Sequence, residues 1–177
     1  MGRGNIFLVG MMGAGKTTVG RALAQKMQMR FADTDKVLME RTGVPVATIF
    51  EIEGEAGFRR RESAVLAELA GEAEAIIATG GGAILAAENR EVMRRCGTVV
   101  YLRARVENLW ERTRHDTNRP LLATPDPLAT LARLLEERDP LYREAAHVVV
   151  DTGMQSAGTL AARVMAALGE GVEGAAS

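Results

Sequence analysis

Gly10-Met-Met-Gly-Ala-Gly-Lys16-Thr17 is the segment of this chain whose residue types most narrowly constrain its chemistry. It satisfies G-x-x-x-x-G-K-[ST] at the point where an apolar run, Asn5–Val9, hands over to a helix-forming stretch. Glycines let the backbone curl until its N–H groups face phosphate oxygens, and the N-terminus of the following helix adds partial positive charge. In such a loop the ammonium of Lys16 reaches the β- and γ-phosphates, and the Thr17 hydroxyl can ligate Mg2+. Gly13, Ala14, Gly15, Lys16, Thr17 and Thr18 are the candidate nucleotide cradle. Only three of the 22 cationic residues are lysines, and one falls on the required position. This pattern specifies a nucleotide and not a reaction.

Three further constellations follow. Asp33-Thr-Asp35 places two carboxylates one residue apart, and on an extended strand end both would point the same way. One could then hold the water shell of Mg2+ while the other orients a substrate hydroxyl; taken alone, such a pair is more often a helix cap or turn. If the stretch around Phe58 is helical, Glu55, Arg59 and Glu62 are neighbours at i,i+4 and i,i+3. Acids on both sides would fix the rotamer of an arginine presenting its fork to a carboxylate, although in isolation the pattern also fits a solvated amphipathic helix. Gly80-Gly-Gly82 ends an apolar run, where backbone could approach a ligand closely or simply turn.

The elements that must position these groups are legible as periodicities. Buried-strand runs lie at Asn5–Val9, Ala75–Thr79, Thr98–Leu102 and His147–Val150, with Arg30–Asp33 a weaker candidate. Helical patterns fall at Lys16–Gln28, within Val46–Leu69, and at Glu88–Arg94, Val106–Arg112, Leu128–Ala145 and Gln155–Leu168. Alternating strands and helices imply crossovers, hence an α/β fold with a mainly parallel sheet covered on both faces. Thr113–Asp126 is polar, holds two of the five prolines and reads as a long functional loop. The expected organisation is one domain over 1–168, followed by a Gly/Ala-rich disordered tail, 169–177. The third strand has no aspartate at its end, only Thr79 and glycines, which counts against an ordinary GTPase or ATP-driven motor.

Composition narrows the remaining classes. A net charge of −1 and 47% apolar residues fit a soluble globular protein and give no basic surplus for nucleic acid. No apolar run reaches membrane-spanning length, and Ile6–Gly10 is too short for a signal peptide. A single cysteine, Cys96, excludes an internal disulfide and suits a reducing cytoplasm.

In combination, these motifs closely resemble the shikimate kinase family from Asn5 to about Leu168. The resemblance rests on Gly10–Thr18, Phe31-Ala-Asp-Thr-Asp35, Thr42-Gly43, Ile49-Phe50, Gly54-Glu55, Phe58-Arg59, Glu62, Thr79-Gly-Gly-Gly82 and Arg119-Pro-Leu-Leu122. It implies a three-layer P-loop kinase fold with a five-stranded parallel sheet in the order 2-3-1-4-5. It also implies a substrate-binding region at about 33–62 and a lid at about 113–126. The implied reaction is transfer of the ATP γ-phosphoryl group to the 3-hydroxyl of shikimate, with one Mg2+ per site. By matching position, Lys16, Asp35 and Arg119 are implied to be catalytic. Asp35, Arg59, Gly81, Gly82 and Arg138 are implied to bind shikimate, Arg112 and Arg119 to bind ATP, and Thr17 and Asp33 to serve the metal, Asp33 through water. A cytoplasmic monomer is expected. Gluconate kinase, another small-molecule P-loop kinase, or a non-catalytic nucleotide-binding homologue are the alternatives.

Overall fold

The computed structural model describes residues 4–116 and 119–174. Its centre is a parallel sheet in the order β2-β3-β1-β4-β5, comprising β1 (Asn5–Val9), β2 (Arg30–Asp33), β3 (Ala75–Ala78), β4 (Gly97–Ala104) and β5 (Val148–Thr152). β1 is flanked on both sides, in register Ile6↔Ile76 and Ile6↔Thr98, which is why it is apolar from Ile6 to Val9 and every residue is buried. The side chain of Asn5 is satisfied by backbone groups of Ala70, Glu72 and Ala75. Phe7 and Leu8 are fully enclosed, each contributing about 1.5–3 kcal/mol by burial.

Seven helices are described: α1 (Lys16–Met27), α2 (Thr34–Thr42), α3 (Val46–Ala70), α4 (Ala87–Cys96), α5 (Val106–Thr113), α6 (Pro127–Ala145) and α7 (Ala157–Gly174). α1 seats Val19, Gly20, Leu23 and Ala24 on the core, and Gly20 is obligatory there because a Cβ would stand 2.6 Å from the Phe31 ring on β2. The fold class and strand order are those expected from the sequence.

Three local expectations are revised. The sequence pattern did not separate α2, whose start is set by Asp33: its side chain accepts from the backbone N–H groups of Asp35 and Lys36 at 3.0 and 3.2 Å. β5 begins one residue late and ends at Thr152, because His147 is spent on β4. Its Nδ1 accepts from Val99 N–H at 2.9 Å, and its own N–H donates to the Val99 carbonyl. Asp151 then meets Arg103 at 2.6 Å and carries the ladder further. α7 continues to Gly174, six residues beyond the expected boundary at Leu168, and the remainder of the expected tail, 175–177, lies outside the described residues.

α3 bends at Gly54, which adopts φ 73° and ψ 178°, a region essentially reserved for glycine. The bend separates a short arm, Val46–Glu53, from the long helix carrying Arg59, and Arg61 clasps Glu53 across it at 2.6 and 2.7 Å. A Cβ at Gly54 would meet nothing within 4 Å, so the cost of adding one is backbone strain alone. Gly54→Ala is therefore expected to lower unfolding free energy by about 1–3 kcal/mol in urea titrations. Undiminished stability would show that the bend relaxes into continuous helix at no cost.

Candidate active site

The loop between β1 and α1 is built by glycines in left-handed conformations, Gly13 at φ 84° and Gly15 at φ 94°. Gly10 has a steric reason as well: a Cβ there would stand 2.5 Å from the Leu102 carbonyl oxygen. The loop opens on a cavity of about 620 Å³ lined by Gly13, Gly15, Lys16, Thr17, Thr18, Asp33 and Arg112. Lys16 folds back, its Nζ donating to the carbonyls of Gly10 and Met11. Burial, reinforced by the charge of Arg119 and opposed by Asp35 and Asp33, lowers its pKa to about 8. The ammonium is thus held on weak acceptors beside the cavity, where phosphate oxygens would be stronger ones.

Ala14 has another role than lining. It is fully buried, and its N–H closes the loop onto the Met11 carbonyl at 3.0 Å. Arg112 donates to the Gly13 carbonyl at 3.1 Å and also to that of Gly153, tying the loop to the chain after β5. Thr17 Oγ1 donates to Asp33 Oδ2 at 2.5 Å. These two oxygen-bearing side chains at the phosphate cavity fit Mg2+, which keeps several waters and needs only one or two protein ligands beside substrate phosphates. Among the described residues there is no cluster of three or more His, Cys, Asp or Glu suited to hold a metal without such help.

A second cavity, about 270 Å³, adjoins the first, and Asp35 and Arg119 line both. Arg59, Glu62, Gly80, Gly81, Gly82 and Arg138 complete its polar wall, while Met12, Val46, Phe50, Phe58 and Leu121 form its apolar wall. Arg59 is held as its spacing foretold, 3.0 Å from Glu62 and 3.4 Å from Glu55, with its guanidinium 5.1 Å from the Phe58 ring centre. Phe50 and Phe58 pack with centroids 4.6 Å apart, so they serve core and pocket together. Arg138 projects from α6 and is 2% exposed.

Among the described residues, four buried side-chain atoms lack a hydrogen-bond partner: Asp35 Oδ1, Arg59 Nε, Glu62 Oε2 and Arg138 Nη1. All four residues line this one cavity. Each unpaired buried polar atom costs about 1–3 kcal/mol, so their convergence marks a place where a ligand supplies the missing partners. Two are guanidinium nitrogens and two carboxylate oxygens, which suits a molecule bearing both an anionic group and hydroxyls. Burial, with Asp33 adding to it, raises the pKa of Asp35; burial also raises that of Glu62, against the pull of Arg59.

The geometry corrects one step of the sequence reading. Asp33 and Asp35 do not share a strand face, because the chain turns into α2 at Thr34; Asp33 faces Thr17 and Asp35 faces the second cavity. Met12, Val46 and Leu121 were not assigned to a pocket from sequence, although Met12 and Leu121 fall within recognised motifs, since isolated apolar residues in loops and helix starts carry no periodic signal. Gly82 leaves room for Arg59: a Cβ there would overlap its guanidinium in the observed position. Because that guanidinium ends a flexible side chain, Gly82→Ala should fold normally while displacing Arg59. Ligand affinity in this cavity is then expected to fall about tenfold, the loss of one charge-assisted hydrogen bond. Titration calorimetry checks this, and an unchanged affinity would show that Arg59 does not act from its observed position.

The family model for shikimate kinase matches residues 12–169. A shikimate kinase of Nitrosospira multiformis is 60% identical over 153 residues, covering 86% of this chain and 78% of the relative. One from Bordetella pertussis is 60% identical over 155 residues, covering 88% of this chain and 74% of the relative. A solved shikimate kinase from Acinetobacter baumannii, in complex with shikimate, superposes with a TM-score of 0.91 at 49% identity, covering 92% of this chain and 91% of that one. With the sheet order, the phosphate loop and the adjoining polar cavity all in place, this chain belongs to the shikimate kinase family.

Proposed function

We propose that this chain transfers the γ-phosphoryl group of ATP to the 3-hydroxyl of shikimate, giving shikimate 3-phosphate and ADP, as a step toward chorismate and the aromatic amino acids. The observation that carries the reading is the set of four unpartnered buried atoms in a cavity open to the phosphate loop. Shikimate offers one carboxylate for Arg59 and Arg138, and hydroxyls for Asp35 and the backbone of Gly81 and Gly82. The solved Acinetobacter baumannii relative was captured with shikimate.

Lys16 exchanges the Gly10 and Met11 carbonyls for the β- and γ-phosphates, and Arg112 packs its planar guanidinium on the adenine. Asp35 orients the 3-hydroxyl toward the γ-phosphorus. As the new O–P bond forms, the bond to the bridging β–γ oxygen breaks, the hydroxyl proton passes late to Asp35, and ADP leaves with the bridging oxygen. Arg119, lining both cavities and paired with Asp116 at 2.9 Å, turns onto the transferring group and spreads its charge. Thr17 and Asp33 would hold Mg2+, Asp33 through water; when bound, the ion neutralises β- and γ-phosphate oxygens. The segment 113–126 acts as the lid that excludes water.

Among the described residues, no helix is long and apolar enough to cross a membrane. ATP as substrate and the free Cys96 support a cytoplasmic setting.

The deciding experiment measures ADP release from Mg2+-ATP with shikimate, gluconate, nucleoside monophosphates or no acceptor. Dependence on shikimate alone is expected. Dependence on gluconate would move the chain to another small-molecule kinase activity, and no acceptor dependence in protein that still binds ATP would indicate a non-catalytic homologue.

A further inference from the structure

Tyr142 lies one helical turn beyond Arg138 on α6 and is fully buried. Its Oη donates to the Gly81 carbonyl at 2.5 Å, across 61 residues of sequence. A phenol has one proton to give, so this bond commits it, while its lone pairs remain for the Arg138 guanidinium that interacts with the same hydroxyl. Burial keeps the phenol protonated, pushing its pKa up to about 12 against the pull of Arg138. The hydroxyl therefore remains a donor at neutral pH.

In the strap Gly80–Gly82, Gly81 passes between the phosphate loop and Arg138. A Cβ there would stand 3.3 Å from Met12 N in the phosphate loop and 3.5 Å from Arg138 Nη1. The Gly81 carbonyl and the Gly82 N–H belong to one planar peptide unit, so a partner that anchors the carbonyl also sets the direction of that N–H. One hydroxyl thus bonds the strap and interacts electrostatically with the arginine of the second cavity.

We propose that Tyr142 is a positioning residue of the shikimate pocket: its hydroxyl aims the Gly81–Gly82 peptide and seats Arg138, so that both meet the substrate in register. This rests on the functional reading above, in which Gly81, Gly82 and Arg138 face shikimate. A purely structural alternative has an internal control beside it. The Tyr142 ring packs on Tyr101, also fully buried, with centroids 4.8 Å apart, and the Tyr101 hydroxyl donates to Asp139 at 2.7 Å, away from the strap. The same stack therefore holds two buried hydroxyls, of which only one reaches the pocket.

The test compares wild type, Tyr142→Phe and Tyr101→Phe by shikimate titration calorimetry, steady-state kinetics in both substrates, and thermal melting. Both variants keep the ring stack and lose one buried hydrogen bond, so similar falls in melting temperature are expected. Tyr142→Phe alone is expected to raise the Kd and KM for shikimate about tenfold, the loss of one well-made hydrogen bond, with the KM for ATP within twofold of wild type. Shikimate affinity in Tyr142→Phe equal to that in Tyr101→Phe would overturn the proposal and leave the hydroxyl a stability element. A parallel rise in the KM for ATP would also overturn it, by showing a general disturbance of the phosphate loop. A wild-type protein that neither binds nor phosphorylates shikimate would overturn the functional reading, and this assignment with it.

Discussion

Lys16→Met is expected to reduce kcat by about a thousandfold, a loss typical of removing a preorganised charge from the transition state. The ammonium sits at the start of α1, donates only to carbonyls of its own loop, and lines the cavity where the γ-phosphate would lie. Its hydrogen bonds are to the phosphate loop alone, so the loss should fall on chemistry and ATP binding. Stability should move the other way. Burial lowers the Lys16 pKa from 10.5 to about 8, so between those values the unfolded chain holds more protons than the folded one. Wild-type stability should accordingly rise with pH through that window and be lowest, as far as Lys16 is concerned, below about 8, where the buried charge is fully carried. The methionine variant carries no such charge. It should unfold at no lower urea concentration than wild type at neutral pH and lose that portion of the pH dependence. An ADP-release assay and urea titrations at several pH values read both effects. A kcat within tenfold of wild type would remove Lys16 from the transition state.

Arg59→Ala is expected to weaken shikimate binding by at least about thirtyfold, since truncating one side of a buried charge-assisted contact costs roughly 2–5 kcal/mol. ATP affinity should stay within twofold, because Arg59 lines only the second cavity. The alanine variant also strands Glu62, which is 1% exposed and 3.0 Å from the lost guanidinium. Some stability will therefore be lost, although a carboxyl whose pKa is already raised by burial can take up a proton instead. Arg59→Lys separates the two consequences. It leaves a cation for Glu62 but not the planar fork, so the fold should be retained while most of the shikimate affinity is still lost. Equal loss of ATP and shikimate binding in both variants would show that Arg59 is structural.

The parts of this site legible in the sequence share one property: their chemistry depends on near neighbours along the chain. The phosphate loop needs glycines and a lysine within eight residues, and its left-handed turns at Gly13 and Gly15 are ones that glycine adopts freely. The clasp of Glu55 and Glu62 on Arg59 follows from helical spacing. The parallel sheet was likewise implied by apolar runs alternating with helical stretches, because a strand buried on both faces has no polar side to show. Where local signals compete, the reading failed locally. Asp33 is both the last residue of β2, as expected, and the cap of α2; its carboxylate accepts from the N–H groups of Asp35 and Lys36, so the extended geometry does not carry on to Asp35. The Asp-x-Asp spacing therefore sends its two carboxylates to different tasks.

The sequence by itself determined the class of the fold, the nucleotide and, through the order of its motifs, the family. What it could not determine was which polar atoms are left without partners, because that depends on chain segments far apart in sequence. Arg138 is separated from Arg59 by the rest of α3, two strands, α4, α5 and the first part of α6, and only the packing of α6 beside the glycine strap brings both into one cavity. The Tyr142–Gly81 bond spans 61 residues for the same reason. Periodicity reports which face of an element is buried, not what lies opposite it. The tertiary structure decides that, and with it where burial leaves Asp35, Arg59, Glu62 and Arg138 each one partner short.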